Sequence, residues 1–196
     1  MNRENTPEIN AGSMADIAFL LLIFFLVTTT LQVDSGIQRK LPEKQAINNP
    51  IVIKDRNYLE ININANNQLF IGETIIPIEN LRALVLDFID NGGGFDSKNK
   101  PCDWCNGNRS PKLSDHPTKA FITIKPARET AYKTYINVLD IINSVYMQLR
   151  NQLALNQFNT SYANLESQLK TTENEQETVE KIEFIRERYP ILISDL

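Results

Sequence analysis

Two places in the sequence bring together residue types that could do chemistry. The first is Asp16, the sole ionisable residue between Glu8 and Asp34, followed at once by the unbroken apolar run IAFLLLIFFLV from Ile17 to Val27. The second is Cys102-Asp103-Trp104-Cys105, with Asp115 and the chain's single histidine, His116, a little further on. A carboxyl group sealed among apolar side chains stays neutral and one reached by water ionises, so exchange between the two can be coupled to a rotation or shift of its helix. A proton crossing 100 mV releases roughly 2.3 kcal/mol, enough to bias such a motion without covalent catalysis. A central Asp costs a membrane helix roughly 2.5–3.5 kcal/mol, so an intramembrane carboxylate points to a proton or ion path. The competing reading puts Asp16 at the headgroup boundary, as an early-turn acid facing water and favoured by the helix dipole.

Helical phase adds detail. At 100° per residue Gly12, Leu20, Ile23, Val27 and Thr30 fall within about 40° of Asp16. A stripe with a glycine, an acid and a threonine prefers protein to lipid, because small and hydroxyl residues allow close helix packing and hydrogen bonds between helices. The opposite side carries Leu22, Phe24, Phe25 and Leu26, with Thr28 and Thr29 near the exit. Gly12, Ser13, Thr28 and Thr30 are therefore candidates for helix-interface or proton-path support.

The cysteine pair sits among Pro101, Gly107, Pro111 and Pro117. A zinc site with Asp115 and His116 would need a second Cys/His pair, which the chain does not supply. A thioredoxin-like role needs the motif at a helix N-terminus beside a strand, and Pro101 with the polar run after Cys105 does not provide it. A local disulfide between Cys102 and Cys105, stapling a loop, is the reading favoured. No metal site is expected. No Ser/His/Asp arrangement, phosphate loop or paired-carboxylate site stands out, so enzymatic catalysis is disfavoured and no catalytic residue is assigned.

These residues must be positioned by a larger framework. The 196 residues suffice for one domain plus an appendage, and a hydrophobic fraction of 42%, a charged fraction of 22% and a mean hydropathy of -0.29 exclude a polytopic membrane protein or a disordered chain. A net charge of -4, a pI near 5.1 and no basic block exclude a nucleic-acid footprint. The apolar residues are concentrated: if Met14 to Leu31 is helical, its 18 residues span roughly 27 Å, nearly a bilayer core. Arg3 among Glu4, Glu8 and Asp16 is no positive n-region, and TTTLQVDSG lacks a cleavage site, so an uncleaved anchor fits better than a signal peptide. Arg39, Lys40 and Lys44 after it would place the C-terminal side in the cytoplasm by a bare Lys/Arg count.

After a polar, Pro-containing tether at 32–50, Tyr58 to Asn64 alternates as a strand, Asn66-Asn67 turns, Gln68 to Gly72 returns and Thr74 to Ile76 makes a short third strand. Pro77 precedes a core helix with Ile78, Leu81, Leu84, Val85, Phe88 and Ile89 at helical spacing, ended by Gly92-Gly93-Gly94. Ala120 to Lys125 is a strand. A helix from about Glu129 to Phe158 carries Tyr135, Leu139, Ile142, Tyr146, Leu149 and Leu153 as a heptad stripe, which suits either a dimer seam or packing on the sheet. The Gln-, Asn- and Glu-rich continuation reads as an exposed extension of two helices with a break near Asn159-Thr160, before a last strand at Ile191 to Ser194.

Glu8-Ile9-Asn10, then Met14-Ala15-Asp16, then IAFLLLIFFLVTT to Thr29, with Leu41-Pro42 beyond, resemble the ExbD/TolR family of proton-driven inner-membrane motor subunits, and ExbD most. Ala11-Gly12-Ser13 departs from the family's Thr-Pro before the Met. The resemblance implies that Asp16 carries the proton, the coupling ion standing in place of any cofactor. It also implies a cytoplasmic N-terminus, overruling the Lys/Arg count, and a periplasmic remainder. The expected α+β architecture is a cytoplasmic segment 1–12, a single transmembrane helix 13–31, a flexible linker 32–50, and a small periplasmic α/β sandwich 51–196. Loop 91–118 is inserted in that domain, and a helical extension occupies 150–187. Implied partners are a pentameric ExbB-like subunit surrounding a dimer of this chain, or of it with a second ExbD-like chain, and a TonB-like transducer that opens outer-membrane transporters. The alternative is an anchored binding module of a Tol-Pal-like envelope system that grips envelope partners or cell wall, with Asp16 incidental.

Overall fold

The computed structural model describes residues 11–28, 53–169 and 175–195. The expected lead through Asn10, Thr30, the linker 32–50 and Leu41-Pro42 lie outside them. The chain divides into two compact units, Met1–Asn49 and Pro50–Leu196. In the first, helix α1 runs over Ala11–Thr28.

In the second unit a short 3-10 turn, Asp55–Asn57, leads into β1, Tyr58–Ile63, where buried Leu59, Ile61 and Ile63 alternate with half-buried Tyr58, Glu60 and Asn62. That alternation assigns one face of the strand to the core. The Asn64 side chain accepts the N–H groups of Asn66 and Gln68 at 3.0 and 2.8 Å, and Asn67 takes a φ of 62°, which asparagine tolerates. β2, Leu69–Ile71, returns antiparallel with Ile63 opposite Leu69, and β3, Thr74–Ile76, follows a turn at Gly72. β4, Phe121–Pro126, lies parallel to β1 with Leu59 opposite Ile122 and Ile61 opposite Ile124. β5, Ile193–Asp195, pairs parallel with β4, giving the order β3-β2-β1-β4-β5. Parallel neighbours require long crossovers. α2, Ile78–Ile89, with the loop after it supplies the first, and α3, Tyr132–Phe158, α4, Tyr162–Gln168, and α5, Glu175–Arg188, supply the second. Asn159 ends α3 in the left-handed conformation at φ 52°, and the Ser161 hydroxyl caps α4 by accepting the Asn164 N–H at 3.1 Å.

One open alternative is decided and one expectation needs correction. The heptad stripe of α3 is no dimer seam: Leu139, Ile142, Tyr146, Leu149 and Leu153 are buried in the same cluster as the sheet and α2, and Tyr135 packs against its edge. Over a few turns a 3.5-residue repeat and a 3.6-residue repeat coincide, so an apolar stripe does not reveal what covers it. Nor is the segment from 150 onward an exposed extension, since Tyr162, Leu165, Ile182, Ile185 and Tyr189 are all buried in that core. Arg150 ties the segment down by donating its Nε and a terminal nitrogen to the Tyr189 carbonyl at 3.0 and 2.8 Å. A polar average hid a handful of well-spaced apolar residues.

The loop at 91–118 is held by buried polar groups. Asn91 donates to the carbonyls of Ser110 and Ser114 at 2.9 and 2.7 Å and accepts the Ser110 N–H at 2.7 Å. The Ser114 hydroxyl donates to the Phe88 carbonyl. Buried Asp115 accepts from Asn57 at 3.1 Å and faces Arg56 at 3.2 Å and Lys54 at 3.5 Å. Burial pushes the Asp115 carboxyl up, but the Asn57 hydrogen bond and the two cations outweigh it and hold the group below its ordinary value. A lowered value means that the ionised form stabilises the fold above about pH 4 and that this contribution is lost as pH falls through the folded-state value. In urea unfolding between pH 6 and pH 2, Asp115→Asn is expected to be destabilised near neutrality, with the gap to the parent shrinking as pH falls. A gap independent of pH counts against this account.

Candidate functional site

α1 is apolar on every side. Each described side chain from Ala11 to Leu26 is exposed, and Met14, Ile17 and every residue from Phe19 to Leu26 keep 41–60% of their surface uncovered. A helix apolar all round is stable only inside a protein core or in lipid. Among the described residues no helix is long and apolar enough to cross a membrane. The 18 residues of α1 span about 27 Å, short of the roughly 30 Å hydrocarbon core, and of the anticipated span 13–31 the last three residues lie outside the description.

Asp16 is the one carboxylate on this helix and lies beyond its first turn, which contains no acid. It stands about 7.5 Å along the axis from Ala11, with about 18 Å more to Thr28 and only apolar residues between them. Dipole stabilisation fades within the first turn, so an early-turn acid is a poor description of this position. Gly12 and Leu20 lie one turn to either side on the same face, and Ser13 sits about 60° away. Thr28, the last residue of α1, falls about 120° around the axis, so the helix brings Gly12 to the Asp16 face and leaves Thr28 off it. What the arrangement offers chemically is one proton-binding group in a setting without competing charges.

In the second unit Cys102 and Cys105 are joined in a disulfide with their Cα atoms 5.6 Å apart. The sulfurs are thus committed to each other, while Asp115 is engaged as above and His116 Nδ1 accepts the Thr118 N–H at 3.2 Å. Among the described residues no His, Cys, Asp and Glu cluster could hold a metal ion.

The sequence reading missed a buried pair that only folding assembles. The Tyr189 hydroxyl donates to Asp90 at 2.6 Å, and the other Asp90 oxygen accepts the Asn106 N–H at 3.0 Å. Burial pushes the Asp90 carboxyl up despite both bonds. The partners are 99 residues apart and no local signal connects them.

A family model described as biopolymer transport protein ExbD/TolR matches residues 2–148. The match takes in α1, α2, the first four strands and α3 as far as Gln148, leaving α4, α5 and β5 beyond it. No curated protein matches the chain.

Proposed function

Because the chain belongs to the ExbD/TolR family of biopolymer transport proteins, we propose that it is the proton-channelling subunit of an ExbB-ExbD-type motor that energises TonB-dependent outer-membrane transport. The family couples energy to transport at the inner membrane alongside ExbB-like subunits and is not a family of enzymes. The observation that carries the finer reading is a lone carboxylate, Asp16, on a helix whose every other described side chain is apolar or small and none of which is covered.

In this reading α1 lies in the bilayer. The N-terminus faces the cytoplasm, residues 32–50 tether the chain, and the α/β domain stands in the periplasm. Two such helices, from two copies or from this chain and a second ExbD-like chain, occupy the centre of an ExbB-like pentamer. Asp16 takes a proton from the wetter side, is neutral while facing apolar surroundings and releases the proton on the other side. Gly12 lets a neighbouring helix approach the acid closely. Each cycle biases a helix movement that a TonB-like transducer passes to the outer membrane.

The test is proton flux. Liposomes holding the co-purified complex with its ExbB-like subunit, given a pH gradient and a trapped pH dye, are expected to dissipate the gradient faster than liposomes with the ExbB-like subunit alone. Equal rates overturn the channelling role and leave a tether for an envelope-binding domain.

A further inference from the structure

A cleft of about 500 Å³ lies between the disulfide-closed loop and the C-terminal end of α5. Its walls include Lys98, Lys100, Trp104, His116, Thr118 and Arg188. Two of these side chains hold buried nitrogens without a hydrogen-bond partner, Trp104 Nε1 and His116 Nε2. His116 is 1% exposed, and its Nδ1 lies 2.8 Å from the Thr118 hydroxyl and 3.2 Å from the Thr118 N–H; with Nδ1 accepting from both, the neutral ring carries its hydrogen on Nε2. Both orphan atoms are therefore N–H donors. Native folds seldom leave buried donors unsatisfied without a ligand or a functional reason.

The surroundings are cross-linked and aromatic. The Cys102–Cys105 disulfide brackets Asp103 and Trp104, which fixes the indole, and the His116 ring stands edge-on to it at 5.2 Å. The Arg188 guanidinium lies 3.3 Å from the Phe184 ring centroid and 5.0 Å from that of Trp104, with one terminal nitrogen donating to the Phe184 carbonyl at 3.2 Å. The carboxylates of Asp103 and Glu187 act on its charge.

What these groups share is an appetite for acceptor oxygens. Lys98, Lys100 and Arg188 are balanced on the same walls by Asp96, Asp103 and Glu187, so the cleft is close to neutral and suits a monoanion better than a polyanion. The Asp96 Oδ1 is already occupied by the N–H groups of Lys98 and Lys100, at 2.8 and 2.7 Å. The Arg188 guanidinium lies over the face of the Trp104 indole, and its planar fork matches the two oxygens of one carboxylate. We propose that this cleft is a binding site for a carboxylate-bearing ligand, with Arg188 and Trp104 Nε1–H gripping the carboxylate and His116 Nε2–H completing the donor set. Arg188 comes from α5, beyond the residues that the family model matches, while Trp104 and His116 lie within them.

Trp104 is the only tryptophan in the chain, so one indole N–H resonance reports on the site. The full chain, labelled with nitrogen-15 and held in detergent, is titrated with N-acetylalanine. A saturable shift of that resonance is expected, with N-acetylalaninamide, which lacks the carboxylate, binding at least tenfold more weakly. Arg188→Gln keeps the reporter and is expected to weaken N-acetylalanine at least tenfold with the rest of the spectrum unchanged. Trp104→Phe, followed by calorimetry, should do the same. The proposal is overturned by no saturable shift, by equal binding of the amide, by tighter binding of inorganic phosphate, or by folded Arg188→Gln and Trp104→Phe variants that bind as well as the parent.

Discussion

Asp16→Asn is expected to leave the complex assembled at parental levels and to reduce energised uptake to that of cells lacking the protein. Asparagine keeps the shape and the helical backbone and removes only the proton that the carboxyl exchanges. It also lowers the cost of placing the helix in lipid, so failure to insert does not explain the loss. Asp16→Glu retains the exchangeable proton on a side chain one methylene longer and is expected to keep part of the activity. The measurement is uptake of a transporter substrate in cells, normalised to the amount of co-purified ExbB-like subunit. Full uptake in the Asn variant at normal complex levels sinks the motor reading, and the tether-and-bind alternative then stands.

Tyr146→Ala is expected to be the most destabilising of the substitutions considered, by about 3–5 kcal/mol, as for other large aromatic residues truncated in a core. Tyr146 is wholly buried on α3, and burial pushes its phenol up to about 12. At roughly 2–4 °C per kcal/mol for a domain of this size, the melting temperature should fall by about 10 °C. Tyr132, the first residue of the same helix and 76% exposed, supplies the control: Tyr132→Ala should stay within about 0.5 kcal/mol. If the stripe were instead a dimer seam, Tyr146→Ala would alter the concentration dependence of melting and the sedimentation of the protein while leaving the dilute monomer's stability nearly intact.

The contrast between these two substitutions bears on how much of the molecule is legible from residues alone. Asp16 is visible in the sequence because its signal is local: a charge inside an apolar run is anomalous whatever surrounds it. The strand at Tyr58–Ile63, the turn at Asn66-Asn67, the helix after Pro77 and the break at Asn159 are legible for the same reason, since side-chain periodicity and backbone preference act over a few residues. The α3 stripe shows the limit. Its spacing specifies a helix with one buried face, and both a sheet and a second copy could cover that face.

The donors around Trp104 were out of reach altogether. The CxxC motif is conspicuous, yet neither the guanidinium of Arg188 nor the Thr118 N–H that fixes the His116 tautomer is foreshadowed by the residues near Cys102. The same holds for Tyr189, whose hydroxyl reaches Asp90 from the far end of the second crossover. By itself the sequence determined the elements, the family and the single acid on which the proposed mechanism turns, because each is written in short-range pattern. Only the tertiary structure decided that α4 and α5 close over the core and bring α5 to the disulfide loop. Burial of a few apolar side chains across long chain separations selects that arrangement, and no local propensity encodes such a selection.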